Sequence, residues 1–225
     1  PSGSVMSTAE IEEWVKVLAK HPHVYVIADE IYEKILFTDK PKSLGSYASL
    51  KGRIATVNGL SKGYAMTGWR IGYMAGPKEW IQACEKYQGM ISSGANSVGQ
   101  AAGAFALNNP AAQEEVEKMR LSFYKRRQLM SEMIADIHGM NCPEPQGAFY
   151  YFPDVSHYFG QATTEGKTIM NSDDLCMYLL EKAHVATVSG SAFGTPNCIR
   201  LSYAASEEQL IEAMNRISKA LSQLN

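Results

Sequence analysis

One stretch of the chain, residues 54–75, sets the strongest limits on the fold. It opens with an apolar, β-branched run, Ile54 to Val57, which predicts a buried strand. The turn signal Asn58-Gly59 is expected to end that strand, and a second apolar run follows at Trp69 to Ala75. Between the runs stands one lysine, Lys62, among small and apolar neighbours. Poor solvation disfavours an ammonium and leaves an amine that can attack a carbonyl, although a loop lysine can also reach solvent along its apolar stem.

An earlier apolar run, Val24 to Ala28, predicts an interior strand of a parallel sheet. This run finishes at Asp29, just as the run Ile54 to Val57 finishes at the loop that carries Lys62. Open α/β sheets bind ligands at the carboxyl ends of their strands. Two strands are therefore expected to deliver chemical groups to one edge of the sheet. A carboxylate at the end of a buried run needs a cation, but an aspartate there can also be a simple turn or cap former.

The remainder of the chain predicts helices and short strands. Capping boxes at Ser7 to Glu10 and at Ser206 to Gln209 are expected to open helices. Ser172 or Asp173 is expected to cap another helix, and the charged run Lys125 to Arg127 is interpreted as the solvated face of a long one. The further helices are expected at residues 78–90, 98–107 and 112–138, and the further strands at residues 148–152, 185–188 and 199–203.

Composition excludes several classes of function. The 225 residues are 45% hydrophobic and 20% charged, which is ordinary for a globular protein. The net charge of −2 gives no electrostatic case for binding nucleic acid, and no apolar run approaches the length that spans a membrane. The four cysteines are scattered, which favours free thiols in a reducing compartment over disulfides or a metal site. We therefore expect a cytoplasmic protein without a metal ion.

The lysine stretch also matches a longer pattern, Ser61-Lys62 followed by Thr67-Gly68-Trp69-Arg70-Ile71-Gly72-Tyr73. This pattern resembles, without a gap, the cofactor-lysine segment of class I pyridoxal-phosphate aminotransferases, and the resemblance extends over nearly the whole chain. It implies an α/β fold of fold type I, with an incomplete, mainly parallel large-domain sheet and a small α+β C-terminal domain. Residues 1–110 would be the C-terminal part of the large domain, and residues 111–225 would be a bridging helix and the small domain.

The resemblance implies a role for each polar residue around the cofactor, pyridoxal 5'-phosphate. Lys62 would form a Schiff base with it and then move the substrate proton, and Asp29 would pair with its ring nitrogen. The hydroxyl of Tyr32 would bond the phenolic oxygen, and Ser61 and Arg70 would hold the phosphate. Each of these residues also has an ordinary interpretation. Tyr32 could pack on the sheet, and Arg70 could lie on a strand edge.

The small domain is expected to hold the substrate. The resemblance assigns Arg200, within Cys198 to Tyr203, to the α-carboxylate of the amino acid. Two positions depart from the pattern of the family. Gly59 stands where many relatives have a phosphate-binding serine, so one contact is missing or a backbone N–H replaces it. The same Gly-x-Ser-Lys form resembles one aspartate-aminotransferase subgroup of the family, so Gly59 is interpreted as a subgroup marker more than a defect. Ser189 stands where proline is common. A segment at Asn96 resembles one that reaches the site of a neighbouring subunit.

These residues predict an aminotransferase that moves an amino group between an L-amino acid and a 2-oxo acid, with aspartate or aromatic substrates. A homodimer with sites at the subunit interface is implied. A lyase of the same fold would share the cofactor residues, and an aminotransferase-like effector domain of a regulator is a third interpretation. Pro1-Ser2-Gly3 resembles a turn from inside the large domain of the family. The chain is therefore expected to be the C-terminal part of a longer enzyme and to be inactive by itself.

Overall fold

The computed structural model describes all residues from Pro1 to Asn225. The chain forms two compact units, Val5–Arg120 and a second unit of Pro1–Ser4 with Leu121–Asn225. The change from one unit to the other falls within a single helix, Pro110–Ala135. The domain division expected near residue 110 lies at the start of that helix, and the assignment of its two sides to family domains stays a prediction.

The first unit, Val5–Arg120, combines one sheet with helices. Its elements are α1 Thr8–Lys20, β1 Val26–Asp29, β2 Ile54–Gly59, α2 Leu60–Gly63, β3 Gly72–Ala75, α3 Lys78–Ser92, α4 Ser97–Asn108 and the first half of α5 Pro110–Ala135. The sheet has the order β1-β2-β3. Strand β2 pairs in parallel with β1 and antiparallel with β3. The capping box predicted at Ser7 is confirmed, because Ser7 Oγ accepts from Glu10 N–H and the Glu10 carboxylate accepts from Ser7 N–H.

Within this chain β1 is an edge strand, so the prediction of an interior strand is wrong here. One face of β1 packs on a core of Leu18, Leu50 and Ile54. The opposite face is bare, with Ile27 74% exposed and the neighbouring Tyr25 65% exposed. An unbroken apolar run is typical of a strand covered on both faces, and within this chain no residues pack on the second face of β1.

The second unit is built on a small antiparallel sheet. Its elements are the second half of α5, β4 Tyr150–Tyr151, α6 Ser172–Tyr178, β5 Val188–Ser189, β6 Ile199–Ser202 and α7 Glu207–Leu221. The sheet has the order β4-β6-β5. The inward side chains of its strands are buried, with Ile199 and Tyr203 fully enclosed. The predicted capping box at Ser206 is confirmed, whereas α6 is capped by Asn171 rather than by Ser172 or Asp173.

The interpretation of Lys125 to Arg127 as a solvated face is wrong for Arg127, which is only 8% exposed. Its Nη1 donates to the carbonyl of Pro145 at 2.7 Å, and Nη2 lies 3.4 Å from the carboxylate of Glu144. Its guanidinium also covers the ring of Tyr124. A charged run in a helix does not reveal which member meets a loop from a distant part of the chain, and here the loop at Glu144 and Pro145 supplies the partners.

Tyr151 connects α5 to the small sheet and should make this unit sensitive to alkali. Its hydroxyl donates to the carbonyl of Arg127 at 2.9 Å. Burial raises the pKa of Tyr151 from about 10 to about 12 and also raises the pKa of Tyr203. Since the folded pKa exceeds the unfolded one, the stabilisation is complete below pH 10 and is lost as the pH rises through 12.

Urea unfolding across this pH range tests the sensitivity. Tyr151→Phe should lower the free energy of unfolding by about 1 kcal/mol at neutral pH, and its alkaline loss should be smaller than in the unchanged chain. Tyr87→Phe, at an exposed position, should leave both quantities unchanged. An equally steep alkaline loss in Tyr151→Phe would show that this phenol does not contribute.

Candidate active site

The candidate site lies at the carboxyl ends of β1 and β2. The parallel register pairs Asp29 with Val57, and the ladder continues past β1 because the N–H of Glu30 donates to the carbonyl of Val57 at 2.9 Å. Adjacent strands lie about 4.8 Å apart. Asp29 and the residues that follow β2 therefore leave the sheet side by side at one edge, as the two apolar runs predicted.

The turn expected at Asn58-Gly59 is absent, because both residues belong to β2. Asn58 is buried, and its Oδ1 accepts from the N–H of Gly59 at 2.7 Å. Gly59 stays extended at a φ of −173°, and α2 begins at the next residue, Leu60. The side chain of Asn58 therefore bonds the backbone at the end of the strand. The residue types alone predict a turn here and do not reveal this bond.

Lys62 stands on the single turn of α2 and is half-buried. Leu60 anchors this turn, because its carbonyl accepts from the N–H groups of both Tyr64 and Met66. Gly63 is buried against the stem of Lys34, so closely that an added Cβ would lie 2.9 Å from Lys34 Cγ. The backbone around Lys62 is therefore fixed by its own turn and by a second lysine that the sequence did not single out.

Arg70 lies between the turn of Lys62 and β3 rather than inside a strand. Its backbone is left-handed, with φ 55° and ψ 46°, and its exposed side chain donates from Nη1 to the carbonyl of Thr67 at 2.8 Å. The following residue, Ile71, accepts through its carbonyl from the N–H of Leu60 at 3.1 Å. That backbone bond connects the segment of Arg70 to the start of the turn that carries Lys62.

Asp29 is exposed in this chain, so the expectation of a buried carboxylate is wrong here. Its Oδ1 accepts from the N–H of Ile31 at 3.1 Å, which is the local bond of a turn former. Tyr32 is half-buried in the same turn, and its carbonyl accepts from the N–H of Ile35 at 2.8 Å. The turn interpretation of Asp29 is thus observed, and its pairing with a cofactor stays a prediction.

The space around Gly59 limits which side chain could stand at this position, where the chain departs from the pattern of the family. An added Cβ would lie 3.1 Å from Ile31 Cδ1 and from the carbonyl oxygen of Ile71, so a serine would require its neighbours to move by a few tenths of an ångström. The N–H of Gly59 already donates to Asn58 Oδ1. Of the two alternatives for this position, the geometry favours a missing phosphate contact over a replacement by the backbone.

The segments that leave this edge carry a carboxylate at Asp29, a hydroxyl at Ser61 and an amine at Lys62, and the segment bonded to Leu60 carries the guanidinium of Arg70. A guanidinium and a hydroxyl suit a phosphate dianion, an amine suits an aldehyde, and a carboxylate suits a protonated ring nitrogen. The donor set therefore fits pyridoxal 5'-phosphate. None of these four residues lines the open cleft of about 580 Å³ that residues of β2, β3 and α3 form, among them Asn58, Tyr73 and Ile81.

Asn96 contributes to this unit in a way that sequence reasoning missed. Its Oδ1 accepts from the N–H of Gly99 at 2.6 Å and caps α4, and its Nδ2 donates to the carbonyl of Trp69 at 3.2 Å. One side chain therefore both starts a helix and holds the segment next to Arg70. The resemblance had linked Asn96 to a neighbouring subunit, and that link stays a prediction.

The remaining predicted residue, Arg200, belongs to the second unit. It lies on β6, is half-buried, and its Cζ is 4.5 Å from the ring centroid of Tyr150 and 4.8 Å from that of Phe193. The resemblance places the segments that carry these rings, residues 147–153 and 188–194, on the substrate side, but it assigns no role to either ring.

No group of three or more His, Cys, Asp or Glu side chains could hold a metal ion. No helix combines the length and the apolar character needed to cross a membrane.

Comparison with known proteins gives a consistent set of relatives. The family described as "Aminotransferase class I and II" matches residues 1–217. The aspartate aminotransferase of Pinus pinaster is 46% identical over 98% of this chain and 45% of its own length. A bifunctional aspartate aminotransferase and glutamate/aspartate-prephenate aminotransferase of Petunia hybrida is 48% identical over 98% of this chain and 47% of its own length.

Solved structures agree with these relatives. The crystal structure of the aspartate aminotransferase from Rhizobium meliloti matches with a TM-score of 0.95 and 43% identity, over 100% of this chain and 56% of that one. An aromatic aminotransferase from Pyrococcus horikoshii matches with a TM-score of 0.90 and 34% identity, over 99% and 57%. The chain thus spans about half the length of the curated relatives it matches.

The two roles of Asn96 can be separated by a pair of variants. Asn96→Ala removes both the helix cap and the bond to Trp69, and it should lower the free energy of unfolding by about 0.5–2 kcal/mol. Asn96→Asp keeps the oxygen that caps α4 and loses only the donor to Trp69, so it should lose less. Urea unfolding measures both values, and equal losses in the two variants would show that the cap adds nothing.

Proposed function

Because the chain belongs to the class I and II aminotransferase family, we propose that the complete protein moves an amino group between an L-amino acid and a 2-oxo acid by means of pyridoxal 5'-phosphate. The observation that carries the proposal is the placement of Lys62 on a fixed turn directly after β2, at the edge where Asp29 ends β1. The names of the relatives, aspartate aminotransferase and glutamate/aspartate-prephenate aminotransferase, support aspartate-type substrates.

The residues at the sheet edge divide the work of holding the cofactor. When bound, pyridoxal phosphate supplies an aldehyde and a ring that withdraws electrons from the substrate Cα. The amine of Lys62 binds the aldehyde, while Ser61 and Arg70 bind the phosphate. Asp29 keeps the ring nitrogen protonated, because a carboxylate next to a protonated nitrogen stabilises its charge. The hydroxyl of Tyr32 bonds the phenolic oxygen.

Lys62 also carries the proton of the reaction. With the cofactor bound and the amino acid attached to it in place of Lys62, the free amine of Lys62 would accept the proton from the substrate Cα as a general base and would then donate it, as a general acid, to the cofactor carbon that had carried the aldehyde. The short turn of α2 limits the movement of the lysine backbone, since both Tyr64 and Met66 donate to the carbonyl of Leu60. A fixed backbone with a flexible stem suits a group that must serve two carbons in succession.

Arg200 binds the α-carboxylate of the amino acid in this proposal. A guanidinium offers two parallel N–H donors to a carboxylate, which fixes orientation as well as charge. The flanking strand residues Ile199 and Leu201 are buried, so the backbone beneath the arginine is rigid. A rigid support is what a group that orients the substrate requires.

We also propose a cytoplasmic homodimer whose apolar surfaces are covered by a second subunit or by further residues of the complete protein. Helix α3 buries none of its side chains in this chain, and its Ile91 is 82% exposed. Exposed apolar patches of this kind mark interaction surfaces. The four cysteines are free thiols, which supports a reducing compartment.

The role of Lys62 can be tested in the complete protein with its nearest packed lysine as the control. Protein loaded with pyridoxal phosphate should show the visible absorption of a lysine-linked cofactor, and Lys62→Ala should abolish it together with transamination. Lys34→Ala, beside the turn at Gly63, should keep the absorption.

The same comparison can be repeated after treatment with borohydride, which makes the linkage permanent. A reduced linkage that survives in Lys62→Ala and disappears in Lys34→Ala would show that the cofactor is linked to Lys34 and not to Lys62. Loss in neither variant would exclude both residues.

A further inference from the structure

We propose that the rings of Tyr150 and Phe193 form an aromatic clamp that positions the guanidinium of Arg200 for a carboxylate. The inference rests on the proposed function of Arg200 as the substrate anchor and adds the two residues that orient it. Neither ring is proposed to touch the reacting atoms, so both are positioning residues.

The register of the small sheet brings Tyr150 to Arg200. Tyr150 pairs with Ser202, which lies two residues after Arg200 on β6, so Tyr150 and Arg200 are diagonal neighbours on the same face. The opposite face carries the buried Tyr151, Ile199 and Leu201. The short distance of 4.5 Å from Arg200 Cζ to the Tyr150 ring is therefore a consequence of strand pairing.

Phe193 reaches the arginine from the other side of β6. It ends the 3₁₀ turn Gly190–Phe193, which directly follows β5, and β5 and β4 flank β6 on opposite edges. Its ring centroid lies 4.8 Å from Arg200 Cζ, and the ring of Phe152 packs edge-on against it. Two rings from two different elements thus meet one guanidinium.

A hydroxyl network holds the turn that carries Phe193. Ser189 Oγ lies 2.9 Å from Ser172 Oγ and donates to Ser191 Oγ at 3.0 Å, and Ser191 Oγ donates to the carboxylate of Asp173 at 2.9 Å. Gly190 has no room for a side chain, because an added Cβ would lie 2.1 Å from the carbonyl of Thr195. The serine at position 189, unexplained by sequence alone, therefore ties this turn to the start of α6.

The clamp suits a guanidinium for a physical reason. Aromatic rings attract a cation over their faces, and a planar, delocalised guanidinium can stack there while its N–H groups point outward in its own plane. With ring contacts on its faces, the group keeps its edge for the two parallel bonds to a carboxylate. Without the rings, a long side chain would lose more rotamer freedom on binding its substrate.

The test uses the complete protein loaded with pyridoxal phosphate. Tyr150→Leu and Phe193→Leu should each raise KM for the amino acid by about three- to tenfold, while kcat stays within about twofold because neither ring meets the reacting atoms. Tyr150→Phe keeps the ring and should restore the KM of the unchanged protein. Phe159→Leu, at a half-buried aromatic outside the clamp, is the matched control and should change neither constant.

A second measurement separates the clamp from the proposed function. The Nε–H resonance of Arg200, assigned by its absence in Arg200→Lys, should move in Tyr150→Leu and Phe193→Leu because the ring currents are removed. Succinate, a dicarboxylate without an amino group, should bind more weakly to both. If the unchanged protein has no transaminase activity while the two leucine variants bind succinate more weakly than it does, that result would support the clamp and refute the proposed function.

Two outcomes would overturn the clamp. One is transamination with unchanged KM in both leucine variants. The other is an equal loss in Phe159→Leu, which would assign the effect to general loosening of this unit.

Discussion

The parallel pairing of β1 with β2 is the constraint on which the candidate site depends. It sets Asp29 beside Val57 and continues through the bond from Glu30 N–H to the Val57 carbonyl. A shift of one residue would exchange the buried and exposed faces of β1 and would carry Asp29 away from the turn of Lys62. Since β1 is the edge strand in this chain and has one bare face, the site edge is held by backbone bonds and by the core of Leu18, Leu50 and Ile54.

The residue types along the chain were sufficient to predict most helices and most strands, because apolar periodicity and capping boxes are local signals. The strand predicted at residues 185–188 instead lies at Val188–Ser189. Prediction failed where a distant partner decides the outcome. Asn58 and Gly59 continue β2 because they pair with Tyr73 and Gly72 of β3, and Arg127 is buried by a loop near Pro145. Asp29 is exposed because this chain contains no cover for that edge. The lysine segment was identified by resemblance, whereas the contact of Tyr150 with Arg200 follows from strand pairing, which one sequence does not show.

Two arginines of the second unit, Arg127 and Arg200, each contact aromatic rings through the guanidinium. Arg127 combines a hydrogen bond to Pro145, an ion pair with Glu144 and a contact with the ring of Tyr124. Arg200 has aromatic contacts on β6 and keeps its edge for a ligand in the proposed function. In the first case a hydrogen bond and an ion pair compensate for the burial of a charge. In the second, aromatic contacts orient a cation and leave its charge to be neutralised by the substrate.

We propose that the sheet edge brings Asp29 to the ring nitrogen of a cofactor held by Lys62. The ¹⁵N resonance of labelled pyridoxal phosphate bound to the complete protein tests this proposal when it is compared between the unchanged protein and Asp29→Asn. We expect a protonated ring nitrogen at neutral pH in the unchanged protein and an unprotonated one in the variant, because the carboxylate would stabilise the ring charge. The same protonated signal in both proteins would contradict it and would return Asp29 to the status of a turn residue.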